Sequence, residues 1–303
     1  MKILLTGKTG QVGFELERSL KCLGEIIAVD RNQMDLSDLD QVRDVIRSVK
    51  PDLIINPAAY TAVDKAESEP ELAMRINGLA PGVMAEEAQK LGAAMIHYST
   101  DYVFDGTKKS PYTEEDTPNP QSVYGRTKRE GEIAVAKACE AHWILRTSWV
   151  YGVHGGNFLK TILRLAQERE TIRIVADQTG APTWARTIAR LTTAALGNQD
   201  AAVKHIAATA GIYNLCAGGE TTWHGYARHV VKQAGIQGLA LKLSVDAIEP
   251  IPTEAYPLAA ARPHSSRLNV NKFQTIFEHE LPDWHSDLNI CIRELKQGIN
   301  AKP

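Results

Sequence analysis

The sequence predicts an α/β fold in which a doubly wound parallel sheet is followed by a smaller C-terminal domain. In the first half of the chain, short runs that are entirely apolar alternate with amphipathic stretches of helical period. Strands that are apolar throughout are typical of parallel sheets covered by helices on both faces. A repeated strand–helix order with right-handed crossovers then gives the doubly wound arrangement.

Five short apolar segments are the predicted strands of this sheet. They are residues 3–6, 26–29, 53–55, 93–96 and 143–145. Leucine and valine recur at helical spacing after the first and second segments, and the stretch 66–91 reads as helical before the fourth. We therefore expect a helix between each strand and the next.

The pattern loosens after about Arg146. Helices are predicted at 157–170, 183–197 and 222–234, and residues 245–267 are rich in proline and read as long loops. We predict a first domain of residues 1–150 with a return segment near 181–215. The second, smaller domain is predicted to comprise residues 151–180 and 216–303.

Composition and charge exclude several classes of protein. The chain has 303 residues, of which 44% are hydrophobic and 23% charged, and its formal net charge is −2. Such a chain is globular rather than disordered, and it has no bulk charge to attract nucleic acid or an anionic membrane. The first apolar run is too short for a signal peptide or a membrane span. We expect a cytoplasmic protein that binds neither nucleic acid nor membrane.

A glycine-rich segment, GKTGQVG at residues 7–13, lies between the first predicted strand and the first helix. Gly7 allows a tight turn, Gly10 lets the backbone approach a pyrophosphate, and Gly13 lets the helix pack closely on the strand. The N–H groups at the start of the helix attract phosphate. The spacing differs from the common GxGxxG, but its position predicts a dinucleotide-binding loop in a Rossmann-like domain.

The ends of the second and third predicted strands should complete this site. Asp30 is placed to bind ribose hydroxyls, although a simple turn aspartate is the alternative, and Arg31 can pair with a 2′-phosphate. The sequence therefore leaves the choice between NADH and NADPH open. Further residues fall where the adenine and the central part of the coenzyme should lie, namely Asp35, Leu36, Ala58, Ala59, Tyr60 and Thr61. Helix–sheet packing explains the two alanines almost as well.

Tyr124 and Lys128 lie four residues apart in the segment YGRTK, so on a helix they share one face. Free tyrosine has a pKa of about 10, too high for proton exchange near neutral pH. A neighbouring ammonium group favours the phenolate, so Lys128 is expected to lower the pKa of Tyr124 and to tune it as a general acid/base. By itself, such a pair is also typical of an ordinary surface contact.

Thr100 follows the fourth predicted strand, within the segment HYSTDYVFDG at residues 97–106. Ligands of doubly wound sheets bind outside the carboxyl ends of the strands. Thr100 is therefore placed to donate a hydrogen bond to a substrate carbonyl oxygen, and that bond strengthens as the oxygen gains negative charge. The alternative is a structural cap of a turn or helix.

Together, the glycine loop, the segment STDYVFDG and the YxxxK pair resemble the extended short-chain dehydrogenase/reductase family. Within it, the chain is similar to the dTDP-4-dehydrorhamnose reductases, over residues 1 to about 284. The segments that carry this narrower likeness are 7–13, 62–67, 146–151, 177–183 and 262–268. The resemblance implies reduction of dTDP-4-dehydro-β-L-rhamnose to dTDP-β-L-rhamnose with NADPH or NADH as coenzyme.

The resemblance also implies roles for single residues. Tyr124 would supply the proton, Lys128 would orient the nicotinamide ribose, and Thr100, Asp101 and Tyr102 would meet the sugar. The coenzyme would be lined by residues that include Gln11 and Val12. Trp149 would pack against the substrate, with a plain core tryptophan as the alternative. Arg262 and Arg267 are our own candidates for the diphosphate, because guanidinium forks match phosphate oxygens, although surface charges would look the same.

Some members of the subfamily join their subunits through a magnesium ion held by acidic side chains. Here Glu15 and Glu294 are acidic, but Arg186 stands where some relatives have an acid. A site that lacks one carboxylate is a poor magnesium site, so magnesium is doubtful and we predict no structural metal. Whether the chain forms a homodimer is left open.

Two rival functions fit part of the pattern. A nucleotide-sugar epimerase or 4,6-dehydratase uses the same tyrosine, lysine and threonine, but a dehydratase adds a carboxylate next to the threonine. Here Asp101 and Tyr102 follow Thr100 rather than an acidic pair, which favours simple reduction. The second rival is a non-catalytic regulatory subunit similar to the β subunit of methionine adenosyltransferase. The presence of Tyr124, Lys128 and Thr100 speaks against it.

Overall fold

The computed structural model describes residues 1–198 and 200–300, the side chains of 298–300 excepted. Its strands are, in chain order, β1 Lys2–Leu5, β2 Glu25–Ala28, β3 Leu53–Asn56, β4 Ala94–Thr100, β5 His142–Thr147, β6 Val150–Tyr151, β7 Ile172–Val175, β8 Thr179–Gly180, β9 Thr183–Trp184, β10 Gly211–Asn214, β11 Thr221–Thr222 and β12 Ile248–Ile251. Its α-helices are α1 Gln11–Ser19, α2 Leu39–Val49, α3 Val63–Ala66, α4 Pro70–Met74, α5 Ala80–Leu91, α6 Val123–Ala138, α7 Phe158–Glu168, α8 Ala185–Leu196, α9 Ala202–Ala208, α10 Trp223–Ile236, α11 Asn271–Phe277 and α12 Trp284–Asn300.

Six strands form one parallel sheet in the order β2-β1-β3-β4-β5-β10. The predicted doubly wound parallel sheet is thereby confirmed, and α7, α8 and α10 confirm the helices predicted in the second half. The sixth strand, β10, was missed because it is a four-residue edge strand whose first half is only half-buried. The strand order reverses between β1 and β3, and ligands of such sheets bind at the carboxyl ends beside this point.

Hydrophobic clusters cover both faces of the sheet, as the side-chain alternation of β1 illustrates. Ile3 and Leu5 belong to one cluster, which includes apolar residues of α1, α8, α9 and α11. Leu4 points to the opposite face and belongs to a second cluster with residues of α2, α5 and α6. Burying each of these aliphatic side chains contributes roughly 1.5–3 kcal/mol. The strands are therefore held rigidly between two layers of helices.

A separate cluster forms the core of the second predicted domain. It is built around α7, α10 and α12, with Leu159, Val230 and Leu288 fully buried. Ile188, Ile206 and Tyr213 pack instead in the cluster of the sheet. Phe273 and Phe277 belong to the same cluster, although the sequence assigned them to the second domain. The division into domains remains a prediction.

One expectation for the second half of the chain is wrong. Residues 245–267 were expected to be loops throughout, but β12 lies within them and pairs in parallel with β7. This strand carries Glu249 and Pro250 at exposed positions, so it lacks the apolar run by which the other strands were recognised. Among the described residues, no helix is long and apolar enough to cross a membrane.

Candidate functional site

A cleft of about 540 Å³ opens at the carboxyl ends of β1, β3 and β4, beside the point where the strand order reverses. The residues predicted for the coenzyme are all brought together along its wall. They are Gly7, Gly10, Gln11, Val12, Gly13, Asp30, Arg31, Asp35, Leu36, Ala58, Ala59, Tyr60, Thr61, Tyr124 and Lys128. Because loops from several strand ends meet here, residues far apart in sequence form one elongated pocket.

The glycine loop is shaped so that the backbone itself forms the pocket wall. Gly7 has a φ of 61°, and a Cβ on Gly13 would lie 2.1 Å from the Gly7 carbonyl oxygen. Gly10 is the N-cap of α1, and no side chain caps that helix. The N–H groups of its first turn therefore remain available to the phosphates of a dinucleotide. The loop and the cleft together fit a nicotinamide dinucleotide.

The adenosine end of the cleft carries charges of both signs. The Asp30 carboxylate lies 3.5 Å from the Lys8 ammonium, and the Arg31 Nε donates to Asp35 at 3.2 Å. Burial acts to raise the pKa of Asp35, but hydrogen bonds from Ser37 and Arg31 outweigh it and lower the pKa. The site thus offers a carboxylate for ribose hydroxyls and an exposed guanidinium for a 2′-phosphate.

Helix α6 carries Tyr124 and Lys128 one turn apart, and its start is well fixed. The Ser122 hydroxyl accepts from Gly125 N–H at 3.1 Å, and the Glu67 carboxylate accepts from Val123 N–H at 2.7 Å. These two bonds satisfy backbone donors that a helix otherwise leaves free. The position of the Tyr124 backbone is therefore set by contacts on both sides of it.

Lys128 is almost fully buried, and its ammonium group is held by the strand beneath α6. Its Nζ donates to the Tyr98 carbonyl oxygen at 2.6 Å and lies 3.2 Å from Nε2 of His97. Burial penalises the ammonium and lowers the pKa of Lys128 to about 8. The pKa of His97 is also lowered, by burial and by Lys128, so its ring is neutral.

The expectation that Lys128 lowers the pKa of Tyr124 is wrong for the protein without coenzyme. Burial raises the pKa of Tyr124 to about 12, although a hydrogen bond between the Tyr124 and Thr100 side chains acts to lower it. The Lys128 ammonium is directed to the Tyr98 carbonyl, while the phenolate form would have to be desolvated. The phenol is consequently protonated, which is the form that a proton donor needs.

The residues predicted to meet the sugar lie beside Tyr124, at the end of β4. The Thr100 hydroxyl donates to the Asp101 carboxylate at 2.9 Å, and burial raises the pKa of Asp101 to about 6. One oxygen of Asp101 is buried without a hydrogen-bond partner among the described residues. The ring of Tyr102 meets that of Tyr124 edge-on, with centroids 5.4 Å apart. Thr100, Asp101 and Tyr102 thus lie near the phenol of Tyr124, behind the residues that line the cleft.

Trp149, Arg262 and Arg267 are outside the wall of the cleft. Trp149 has a φ of 46° and stacks on Trp223, with ring centroids 3.6 Å apart. Arg262 forms an ion pair with Asp64 at 2.6 Å. Arg267 is held by Glu220, Ser265 and the carbonyl of Lys109. Each of these side chains is thus fixed by the protein itself.

The cleft also contains residues that sequence reasoning did not identify. They are Thr6, Ile76, Tyr98, Ser99, Thr147, Val150, Gly155 and Gly156. Ser99 and Thr147 follow from the rule on strand ends, since they belong to the carboxyl ends of β4 and β5. Gly155 and Gly156 carry no such signal. They reach the glycine loop because His154 stacks on Phe14 with ring centroids 4.1 Å apart.

At the position considered for magnesium, a guanidinium group lies between the two acids. Arg186 donates to Glu15 at 3.2 Å and also forms an ion pair with Glu294. Its charge compensates carboxylates that would otherwise be free to bind a cation. Within residues 1–198 and 200–300, no group of three or more His, Cys, Asp or Glu side chains is placed to hold a metal ion. The lack of a structural metal remains a prediction.

The parallel sheet, the glycine loop and the Tyr–Lys pair define the class, a nicotinamide-dependent oxidoreductase of the extended short-chain dehydrogenase/reductase type. The family model described as RmlD substrate binding domain matches residues 1–297, and the chain belongs to that family. A dTDP-4-dehydrorhamnose reductase from Burkholderia thailandensis is 46% identical, over 97% of this chain and 99% of the relative.

Solved structures agree with this assignment. A dTDP-4-dehydrorhamnose reductase from Clostridium acetobutylicum superposes with a TM-score of 0.88 at 34% identity, covering 98% of this chain and 100% of the other. Another from Bacillus anthracis, in complex with NADP, has a TM-score of 0.86 at 33% identity and covers 97% and 99% of the two chains. The whole described architecture is therefore shared with these reductases.

Proposed function

We propose that the chain reduces the 4-keto group of dTDP-4-dehydro-β-L-rhamnose to give dTDP-β-L-rhamnose, with NADPH or NADH as coenzyme. The names of its relatives state this activity, and the chain covers nearly their whole length. The observation that carries the proposal is the protonated phenol of Tyr124 on the wall of the dinucleotide cleft, beside Thr100. A reductase needs a proton donor at that place.

In this proposal, each residue has one task. The glycine loop would hold the pyrophosphate of the coenzyme, whose reduced nicotinamide would supply the hydride that C4 of the sugar accepts. Tyr124 gives its proton to the developing alkoxide, and Thr100 turns its hydroxyl from Asp101 to that oxygen, where a hydrogen bond is strongest as charge develops. Lys128, which lines the cleft one helical turn away, donates to the ribose of the coenzyme.

The residues around the reacting carbon position the rest of the substrate. We propose that Asp101 and Tyr102 contact the sugar, that Trp149 packs against it, and that Arg262 and Arg267 face the diphosphate. At the other end of the cleft, Asp30 serves the ribose of NADH and Arg31 the 2′-phosphate of NADPH, which supports use of both coenzymes. A cytoplasmic location stays a prediction from the sequence, which left open whether the chain forms a homodimer.

The decisive variant is Tyr124→Phe, which removes only the phenolic oxygen. Loss of a positioned general acid costs about 10²–10⁴-fold in rate, so we expect kcat to fall by that factor while NADPH and dTDP bind as before. The measurement is the absorbance of reduced nicotinamide, with the keto-sugar made in place from dTDP-glucose by a dehydratase and an epimerase. Turnover within a few-fold of the unaltered enzyme would remove Tyr124 from the mechanism.

The same assay separates the reductase from its rivals. Epimerases and dehydratases return the hydride to their product, so they would show no net consumption of NADPH or NADH. A regulatory subunit would oxidise neither coenzyme with any keto-sugar and would co-purify with a partner enzyme. Steady, stoichiometric oxidation of free coenzyme is the result expected of the proposed function.

A further inference from the structure

Residues 253–262, which we call the strap, are anchored at both ends by aspartates from distant parts of the chain. At its start, the Thr253 N–H and hydroxyl donate to the Asp177 carboxylate at 3.0 and 2.6 Å. The Gln178 side-chain amide donates to the Thr253 hydroxyl at 3.1 Å. Asp177 and Gln178 belong to the segment DQTGAPT, for which the proposed reaction has no task. The first anchor thus gives this segment a structural role.

The second anchor is Asp64, on the short helix α3. Its carboxylate accepts from Ala260 N–H at 3.0 Å and from the Arg262 Nη2 at 2.6 Å. The other guanidinium nitrogen, Nη1, donates to the Ala260 carbonyl at 3.1 Å. Because both partners are bound to the same carboxylate, the backbone at Ala260 and the side chain of Arg262 are fixed together. Arg262 is only 16% exposed, so its side chain has little freedom.

Between these anchors the strap is open to solvent. Residues 254–259 are all exposed, and they include Tyr256 and Leu258, two large apolar side chains with 56% and 44% of their surface accessible. Beyond the second anchor the chain runs on to the substrate side of the site, where Ser265 N–H donates to the Gly106 carbonyl at 3.0 Å. The chain that follows the strap therefore contacts the segment 97–106, which contains Thr100.

Helix α3 and the residue after it connect the strap to the catalytic helix. Glu67, three residues after Asp64, accepts from Val123 N–H at the start of α6, directly before Tyr124. The ring of Tyr102 packs edge-on against that of Tyr124, with centroids 5.4 Å apart. Asp64 thus sets where the Arg262 guanidinium lies relative to the reacting groups.

We propose that Asp64 is a positioning residue that holds Arg262 and the strap in place to receive the diphosphate of the nucleotide sugar. The inference rests on the proposed function, because it assumes a dTDP-linked substrate. A guanidinium that is fixed before binding presents its fork to phosphate without the entropic cost of ordering a long side chain. Asp64 contacts Arg262 and Ala260 and acts on the substrate only through them.

Two variants separate the charge of Asp64 from its role as an acceptor. Asp64→Asn retains an oxygen for Ala260 N–H but loses the ion pair with Arg262, and Asp64→Ala loses both. The matched control is Asp246→Asn, which removes a carboxylate paired with Arg228 at 3.1 Å on the surface of the second predicted domain. Calorimetry with dTDP measures the affinity of the substrate side of the site, and separate calorimetry with NADPH measures the affinity of the coenzyme side. The rate of backbone hydrogen exchange at residues 254–262 reports how firmly the strap is held.

We expect both Asp64 variants to bind dTDP about 3- to 10-fold more weakly, the range set by ordering one long side chain on binding. The KM for the keto-sugar should rise by the same factor, with kcat and NADPH affinity kept, and the control should match the unaltered protein. Hydrogen exchange at residues 254–262 should accelerate in Asp64→Ala more than in Asp64→Asn. Equal or tighter dTDP binding in Asp64→Asn would overturn the positioning role.

The exchange measurement keeps this inference separate from the proposed function. It needs no turnover, so unchanged exchange at residues 254–262 in Asp64→Ala overturns the anchor even if the enzyme is an active reductase. If the unaltered protein neither binds dTDP nor oxidises coenzyme with the keto-sugar, the proposed function fails and the positioning of a diphosphate fails with it. Accelerated exchange would then support only the anchoring of the strap.

Discussion

Replacing Lys128 by methionine should change the pH dependence of stability in a way that isolates the buried ammonium. Methionine keeps an unbranched chain of similar length but cannot be charged. In the unaltered protein, burial lowers the pKa of Lys128 from 10.5 to about 8. Because the pKa of Lys128 is lower in the folded protein than in the unfolded chain, the unfolded chain binds more protons at pH values between about 8 and 10.5. The unaltered protein therefore becomes more stable, relative to Lys128→Met, as the pH rises through this window.

The size of the effect follows from the two pKa values. One pKa unit corresponds to about 1.4 kcal/mol, so the difference between 10.5 and about 8 amounts to about 3 kcal/mol in full. Between pH 7 and pH 10, the free energy of unfolding of the unaltered protein should rise by about 2–3 kcal/mol relative to that of Lys128→Met. The variant also leaves the Tyr98 carbonyl without its Lys128 donor, but that loss does not depend on pH and cancels in the comparison.

The assay is urea denaturation of both proteins at pH 7 and at pH 10, without coenzyme. His97 and Tyr124 do not change charge in this interval, since the pKa of His97 is well below 6.5 and that of Tyr124 is about 12. Lys137→Met, at an exposed position near the end of the same helix, is the matched control. A stability difference between Lys128→Met and the unaltered protein that is the same at both pH values would refute the reasoning.

Two further variants test the cleft and the core beneath it. In Gly13→Ala the new Cβ would lie 2.1 Å from the Gly7 carbonyl, so NADPH titration should show affinity reduced about tenfold or more. The control Gly235→Ala, in α10 and outside the cleft, has open space around the new Cβ and should bind NADPH normally. Equal affinities would contradict the packing argument. Arg146→Met removes the guanidinium that binds the fully buried Glu132 at 2.7 and 2.8 Å and leaves Arg129, at 2.8 Å, as its ion-pair partner. Because part of the compensating charge remains, the variant should cost about 3 kcal/mol in urea denaturation, the lower end of the range for a broken buried pair. Combining it with Glu132→Leu should recover most of that loss, and a loss below about 1 kcal/mol in the single variant would be inconsistent with a buried charge.

Much of the cleft could be predicted because the rules that place its residues are local. Gly7, Asp30 and Ala58 each follow an apolar strand, Thr100 is the last residue of β4, and the carboxyl ends of parallel strands meet at one edge of the sheet. Strand order along the chain was therefore enough to bring these residues together. Tyr124 and Lys128 needed only the helical period, since residues four apart share a face.

The pKa shifts of the site residues could not be predicted from such local rules. The sequence suggested that Lys128 lowers the pKa of Tyr124, and the opposite shift of Tyr124 results from burial. The Lys128 ammonium points to the Tyr98 carbonyl oxygen, to which it donates a hydrogen bond, and Tyr98 lies 30 residues earlier in the chain. Desolvation depends on every atom packed around a group, so it is a property of the assembled core rather than of a motif.

By itself, the sequence determined the sheet, the coenzyme loop and the catalytic pair, because hydrophobic period, glycine spacing and strand ends act over a few residues. Only the tertiary structure decided the contacts that span the chain. Asp64 and Arg262 are 198 residues apart and meet in one ion pair, and Arg186 reaches Glu294 across 108 residues. No local pattern records such pairs, since they arise when two hydrophobic cores pack and bring distant charged side chains together.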